Sequence, residues 1–187
     1  MIWVREVNSA ILKHIRTLME DLQDHYGNSV NPRVIMRKPD TDITQEQYPV
    51  ITVSSLQYTQ DILHSDVNSL KIQNSNDSVL KGYNSPNWRF SYQIDIWTET
   101  PIQLDSITTA WIKSHPTKYS VIEVTDSNGS DTQLCRFTNR NFRNIDFVDS
   151  KGINIYRNVI NCDILVAIGV DSLKHYSKVL NVSINKK

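Results

Sequence analysis

The sequence predicts an α+β domain in which an antiparallel β-sheet carries two α-helices packed on one face. Three observations predict it. Apolar residues recur at spacings of three and four near the start of the chain. An alternating segment, Trp88 to Ile96, runs directly into a helical pattern with its own cap. Beyond Pro116 the chain turns to short apolar runs separated by turn residues. A length of 187 residues suits one domain with a real core, so a single domain over 1–187 is expected.

The first helix is carried by Val4, Val7, Ile11, Ile15, Leu18 and Leu22, with Leu12 and Met19 widening the apolar stripe beyond about 100°. Tyr26-Gly27-Asn28 is its expected stop, because glycine tolerates the left-handed turn that ends helices. A short strand follows at Arg33–Arg37, then a polar stretch from Lys38 to Gln47. Tyr48–Val53 is the next strand, with Pro49 at its entry, where a missing N–H matters least.

Residues 59–87 form an insertion with few apolar positions. Leu70, Ile72, Val79 and Leu80 flank Asn74-Ser75-Asn76-Asp77, which predicts a projecting β-hairpin turning at those four residues, or a loop. Trp88, Phe90, Tyr92, Ile94 and Ile96 then alternate with Arg89, Ser91, Gln93 and Asp95, placing one face of a strand on the core. Thr100 can cap the helix that follows, Pro101 fits its first position and Gln103 completes a capping box. Leu104, Ile107, Thr108 and Trp111 line its buried face, and His115-Pro116 ends it.

Strands are expected at Tyr119–Thr125 and Thr132–Thr138, joined through Asp126-Ser127-Asn128-Gly129. A second hairpin pairs Phe142–Val148 with Ile153–Val170 through Asp149-Ser150-Lys151-Gly152. In that last strand Ile160, Cys162, Ile164, Val166 and Ile168 share a face. Residues 171–187 make a C-terminal extension with a small alternating segment, Leu180, Val182 and Ile184.

Charge and motifs restrict function. Twenty Lys and Arg balance twenty Asp and Glu, which counts against nucleic-acid binding as the main role, since phosphate neutralisation normally demands a basic excess. The N-terminus lacks the basic start and apolar stretch of a signal peptide, and no run of eighteen apolar residues occurs, so no membrane role is expected. Cys135 and Cys162 have no second Cys or His within four positions, so buried thiols are expected rather than a zinc site.

None of the five glycines forms a phosphate-cradling loop, and the five histidines show no metal-ligand spacing. His14 reads as a solvated helix residue and His115 as a helix end. Asp95, Glu99 and Asp163 are the carboxylates that neighbouring strands could bring together, a coincidence common on polar strand faces. Arg136, Arg140 and Arg143 interleave with Phe137 and Phe142, a pattern that can hold single-stranded nucleic acid. The nearby Asp131, Asp146 and Asp149 favour an ordinary solvated surface instead. Trp97 breaks the alternation before it. Either the sheet is covered on both faces there, or Trp97 is an exposed anchor for a partner. No catalytic centre, metal or cofactor is expected.

The order of elements resembles the tail terminator (tail completion) proteins of tailed bacteriophages. The resemblance rests on Val4–Leu22, on Tyr48-Pro49-Val50-Ile51-Thr52-Val53, and on Gln93-Ile94-Asp95-Ile96-Trp97-Thr98-Glu99 leading into Leu104–Ile112. Its late part is Asp146–Gly152 followed by Tyr156–Ile164. It covers most of residues 1–170, with the 59–87 insertion and the C-terminal extension as departures. The resemblance implies a ring, commonly hexameric, that caps the tail tube and joins it to the head and neck proteins, with DNA only as cargo passing through. It implies a place in the tail or neck of a virion assembled in the host cytoplasm. The expected partner contacts are Lys71, Gln73, Asn74 and Asp77 on the hairpin, Trp97, and Arg140 and Arg143. The alternatives are another tail component, such as a tube or baseplate adaptor, a small metal-free hydrolase, or a single-strand nucleic-acid-binding module.

Overall fold

The computed structural model describes residues 2–38, 48–60, 71–75, 78–82, 87–129, 132–148, 152 and 154–168. Its elements, in order, are α1 (Val4–Leu18), β1 (Arg33–Met36), β2 (Val50–Gln60), β3 (Lys71–Ser75), β4 (Ser78–Gly82), β5 (Asn87–Thr98), α2 (Pro101–Ser114), β6 (Tyr119–Thr125), β7 (Thr132–Asn144), β8 (Phe147–Val148) and β9 (Asn154–Ala167). Six strands run side by side in the order β1-β2-β5-β9-β7-β6, and β8 adds two residues beside β9. β3 and β4 pair antiparallel as a separate two-stranded sheet, Lys71 opposite Gly82 and Ser75 opposite Ser78.

The sheet is antiparallel except at one edge, where β1 pairs with β2 in parallel, Arg33 opposite Val50. This corrects the expectation of an all-antiparallel sheet. A parallel pair needs a crossover of about a dozen residues, and residues 37–49 supply it.

The alternating strand lies at the centre. Phe90, Tyr92, Ile94 and Ile96 of β5 are buried, and β9 sets Ile160, Cys162, Ile164 and Val166 beside them on the same face. Both helices cover this face. α1 brings Val7, Ile11 and Ile15, and α2 brings Leu104, Ile107 and Trp111, into one apolar cluster with it. Two polar links tie the layers together. The Tyr92 hydroxyl donates to Asn8 Oδ1 at 2.8 Å, and Asn158 Nδ2 donates to Thr108 Oγ1 at 2.8 Å.

Helix ends follow local chemistry. The Thr100 hydroxyl accepts from the Gln103 N–H at 3.3 Å, so the expected cap of α2 forms. α1 ends at Leu18, a turn before its expected end at Leu22. Asp24 is the reason: its carboxylate accepts from the backbone N–H of Tyr26 and of Asn28, closing a local loop in which Gly27 takes φ +84°.

The expected break between Thr138 and Phe142 does not occur, and β7 runs unbroken from Thr132 to Asn144. A bulge between Asn139 and Asn141 takes up Arg140, so a run that reads as a turn is an extra residue within a strand. The tight turn between β6 and β7 forms as expected, with Gly129 at φ +69° donating its N–H to Asp126 O at 3.0 Å. Of the hairpin turn expected at Asn74-Ser75-Asn76-Asp77, Asn74 and Ser75 belong to β3, while Asn76, Asp77, most of the 38–47 stretch and the 171–187 extension lie outside the described residues.

Candidate interaction surface

The sheet face opposite the helices carries two aspartate–arginine pairs. Near one end, Asp95 of β5 is 2% exposed and is held by Arg157 of β9 through Nη2 at 2.8 Å and Nε at 3.1 Å. Gln93 Nε2 donates to the same carboxylate at 3.1 Å. The Arg157 guanidinium also lies over the Trp97 ring at 4.3 Å, and Trp97 Nε1 donates to Thr52 Oγ1 at 3.3 Å. Trp97, Val50 and Ile155 form a small second core on this face.

Trp97 is therefore only 5% exposed, and the chain itself covers the ring. This corrects the reading of Trp97 as an exposed anchor: the sheet is covered on both faces there, because Val50 and Ile155 also point away from the helices.

Further along the same face, Asp163 of β9 accepts from Ser91 Oγ at 2.8 Å and from Arg140 Nε at 2.5 Å. The bulge in β7 is what delivers Arg140 to it. Asp163 thus answers Arg140, while Asp131 and Asp149 lie outside the described residues. Asp95 and Asp163 each have their own arginine, while Glu99 lies exposed beyond the strand end.

Around Asp163 lies an open cleft of about 300 Å³, lined in part by Arg89, Lys118, Tyr119, Arg136 and Arg140. Lys118 Nζ and the Arg136 guanidinium stand 5.8 and 5.6 Å from the Tyr119 ring centre. The cleft borders an apolar patch. Tyr119, Val121 and Leu134 are 54%, 61% and 77% exposed, and the register Val121–Arg136–Leu165–Arg89 sets patch and cleft on one face of four strands. β6 is also an edge of the sheet.

Of the expected contact residues, Arg140 lines this cleft and Arg143 is exposed on the same strand. Lys71, Gln73 and Asn74 lie on β3, whereas Asp77 is outside the described residues. The structure thus brings Arg140 together with Arg89, Lys118 and Tyr119, which the sequence alone does not connect. Tyr119 and Val121 carried the usable signal, being large apolar residues at the solvent-facing parity of an alternating strand.

On the other face, His14 is not a solvated residue. Its Nε2 lies 3.0 Å from His115 Nε2, between the two helices and against Phe137. His115 stacks on Trp111, and its Nδ1 meets the Trp111 carbonyl oxygen at 3.0 Å. A carbonyl only accepts, so His115 carries its proton on Nδ1 and its Nε2 accepts from His14. Burial and the neighbouring imidazole lower the His14 pKa to about 4, and burial lowers that of His115. Burial raises Cys135 to about 12 and also raises Cys162. Among the described residues no three His, Cys, Asp or Glu side chains converge as metal ligands.

No protein-family model and no curated protein matches the chain. Solved structures do. One is the sheath/tube terminator, in the extended state, of an extracellular contractile injection system, at a TM-score of 0.45 and 10% identity. All of this chain aligns with it, spanning 64% of the length of that protein.

Proposed function

We propose that the chain is an assembly protein of a phage-like tail, of the terminator kind. In this reading it forms a ring, probed first as a hexamer, that caps the tail tube and joins it to the head or neck. Its work is binding, not catalysis. The observation that carries the reading is the solvent-facing side of β6 and β7, where exposed Tyr119, Val121 and Leu134 adjoin an arginine-lined cleft on what is, among the described residues, an edge of the sheet. Aromatic and arginine residues with apolar neighbours are the composition of interface anchors.

Two further features support it. Asp95 and Asp163 are each bound to an arginine, so neither is a free acid or base. The described elements also fall in the order on which the tail terminator resemblance rests, from α1 through the β5–α2 junction to β9. The test is removal of the coding sequence from a cell that produces the particles. Negative-stain microscopy should then show tails of uncontrolled length without heads. Joined tails of normal length would overturn the reading.

A further inference from the structure

We infer that copies of the chain join by continuing the sheet: the β6 edge of one copy pairs, in parallel, with the Ser54–Gln60 stretch of β2 in the next. The contact rests on the assembly reading above and names the two edges that would meet.

The sheet leaves two matching edges. β2 has eleven residues, and β1 pairs only with Val50–Val53. The seven residues from Ser54 to Gln60 therefore have β5 on one side and, among the described residues, no strand on the other. β6, at the opposite side of the sheet, is also seven residues long. Both lie at the same height, because Thr59, Arg89, Leu165, Arg136 and Val121 are successive partners across β2, β5, β9, β7 and β6. Each of these four pairings is antiparallel, so β6 runs in the same direction as β2. A copy turned about an axis along the strands thus sets its β2 beside the β6 of its neighbour.

The backbone groups point the right way. Asn139 N donates to Lys118 O at 3.0 Å, so alternate residues of β6 bond to β7, while Tyr119, Val121 and Glu123 turn their N–H and C=O groups outward. The Thr117 hydroxyl donates to the Tyr119 carbonyl, so the new ladder begins at Val121. On β2, Val53 O accepts from Arg37 N, which fixes the residues that face β1. The extra residue at the bulge, Leu56, reverses that parity, so Tyr58 and Gln60 face outward.

Edge chemistry separates this pair from β1, the remaining edge. Arg33 and Arg37 turn their N–H groups to β2, so Val34 faces outward, and Arg16 Nη2 donates to its carbonyl at 3.2 Å. Arg33, Arg37 and Lys38 add charge there. Charged side chains and prolines are how sheets keep an edge from pairing. Ser54–Gln60 contains neither, and Leu56 and Tyr58 are 45% and 43% exposed. β6 has no proline and one charge, Glu123, whose carboxylate accepts from Thr125 Oγ1 at 3.3 Å. Nothing acidic on Ser54–Gln60 opposes Glu123, and exposed Tyr119 and Val121 add apolar surface to the joint.

Pairing of β6 with a second β6 fits less well. It would be antiparallel about a twofold axis, would set Glu123 of both copies on one short ladder, and would leave Ser54–Gln60 uncovered. The parallel joint of unlike edges uses both, and its repetition closes a ring when the rotation closes.

The experiment measures self-association of the purified full chain by light scattering across a concentration series. Val121→Pro and Tyr58→Pro each remove one outward N–H and no hydrogen bond of the existing sheet. Wild type should associate beyond a dimer, and each variant should associate about 10-fold more weakly or less. Mixed in equal amounts, the two variants should form dimers and nothing larger, because each keeps the edge that the other has lost. Circular dichroism checks folding. Val121→Lys and Leu56→Lys repeat the test without proline, using the charge by which natural edges are kept apart.

A wild type that is monomeric at every concentration, or mixed variants that do not pair, overturns the contact. Loss with Val121→Pro but normal association of Tyr58→Pro assigns β6 to a second β6 and overturns it too. Normal association of both variants places the contact on another surface and does the same. In a cell that produces the particles, headless tails on gene removal but normal tails from both edge variants sink this contact alone. Association that follows the edge variants, with normal joined tails after gene removal, sinks the tail role alone.

Discussion

Asp95 shows how a charge is kept inside this domain. Its carboxylate is almost fully buried, and Arg157, Gln93 and the Trp97 ring surround the pair. Removing one partner strands the other charge. Arg157→Met should cost about 3–5 kcal/mol, whereas replacing both, as Asp95→Leu with Arg157→Met, should be nearly neutral. Urea unfolding of the two variants distinguishes these outcomes, and equal losses would show that shape rather than charge dominates. His14 predicts a different dependence. Its folded pKa, about 4, lies below its ordinary value near 6.5, so the unfolded chain binds the extra proton first. The neutral His14–His115 contact is then fully stabilising above pH 6.5 and is lost as pH falls from about 6.5 towards 4. Thermal melts across that window should drop more steeply for wild type than for His14→Gln, with a residual slope from His115. Parallel curves would remove His14 from the account.

Among the elements, β5 joins local pattern to global packing most directly. Ile94 has no solvent exposure and lies between Val53 of β2 and Ile160 of β9. Ile94→Ala should cost about 2–5 kcal/mol, read from chemical denaturation, because the cavity would be walled by two strands that cannot collapse into it. A loss under 1 kcal/mol would mean a looser core than the burial implies. This part of the fold was legible in the sequence, since Phe90, Tyr92, Ile94 and Ile96 state their face by period and Thr100-Pro101 states where the helix starts. The remainder depends on contacts distant in sequence. That β1 pairs in parallel with β2 depends on a crossover, not on either strand's residues. Arg140 reads as part of a loop until β9 supplies the register that makes it a bulge and Asp163 its partner. Trp97 looks displaced until Val50 and Ile155, from two other strands, close over it. The cationic cleft was half legible: Arg136 and Arg140 stood out, but Arg89 and Lys118 join them only through sheet order.

At the scale of the whole molecule, the hairpin of β3 and β4 is the piece with the most separable role. It forms its own two-stranded sheet, while β2 and β5 pair with each other from Val50–Trp97 through to Gln60–Trp88 without it. The domain's sheet thus closes before the hairpin begins. Strands of five residues extend about 17 Å, enough to reach across a subunit boundary in a ring. Replacing residues 65–82 with a short Gly/Ser linker should therefore leave the domain folded. Its far-ultraviolet circular dichroism should match wild type apart from the lost strand signal, and its melting temperature should fall by no more than a few degrees. Shortening a flexible connection between two paired strands changes closure entropy only slightly. In the proposed role the same deletion should abolish tail joining, seen as headless tails by microscopy. Unfolding of the variant would place the hairpin in the core of the domain. Normal joining by a folded variant would leave assembly to the exposed surface of β6 and β7, with Lys71, Gln73, Asn74 and Asp77 removed from the contact.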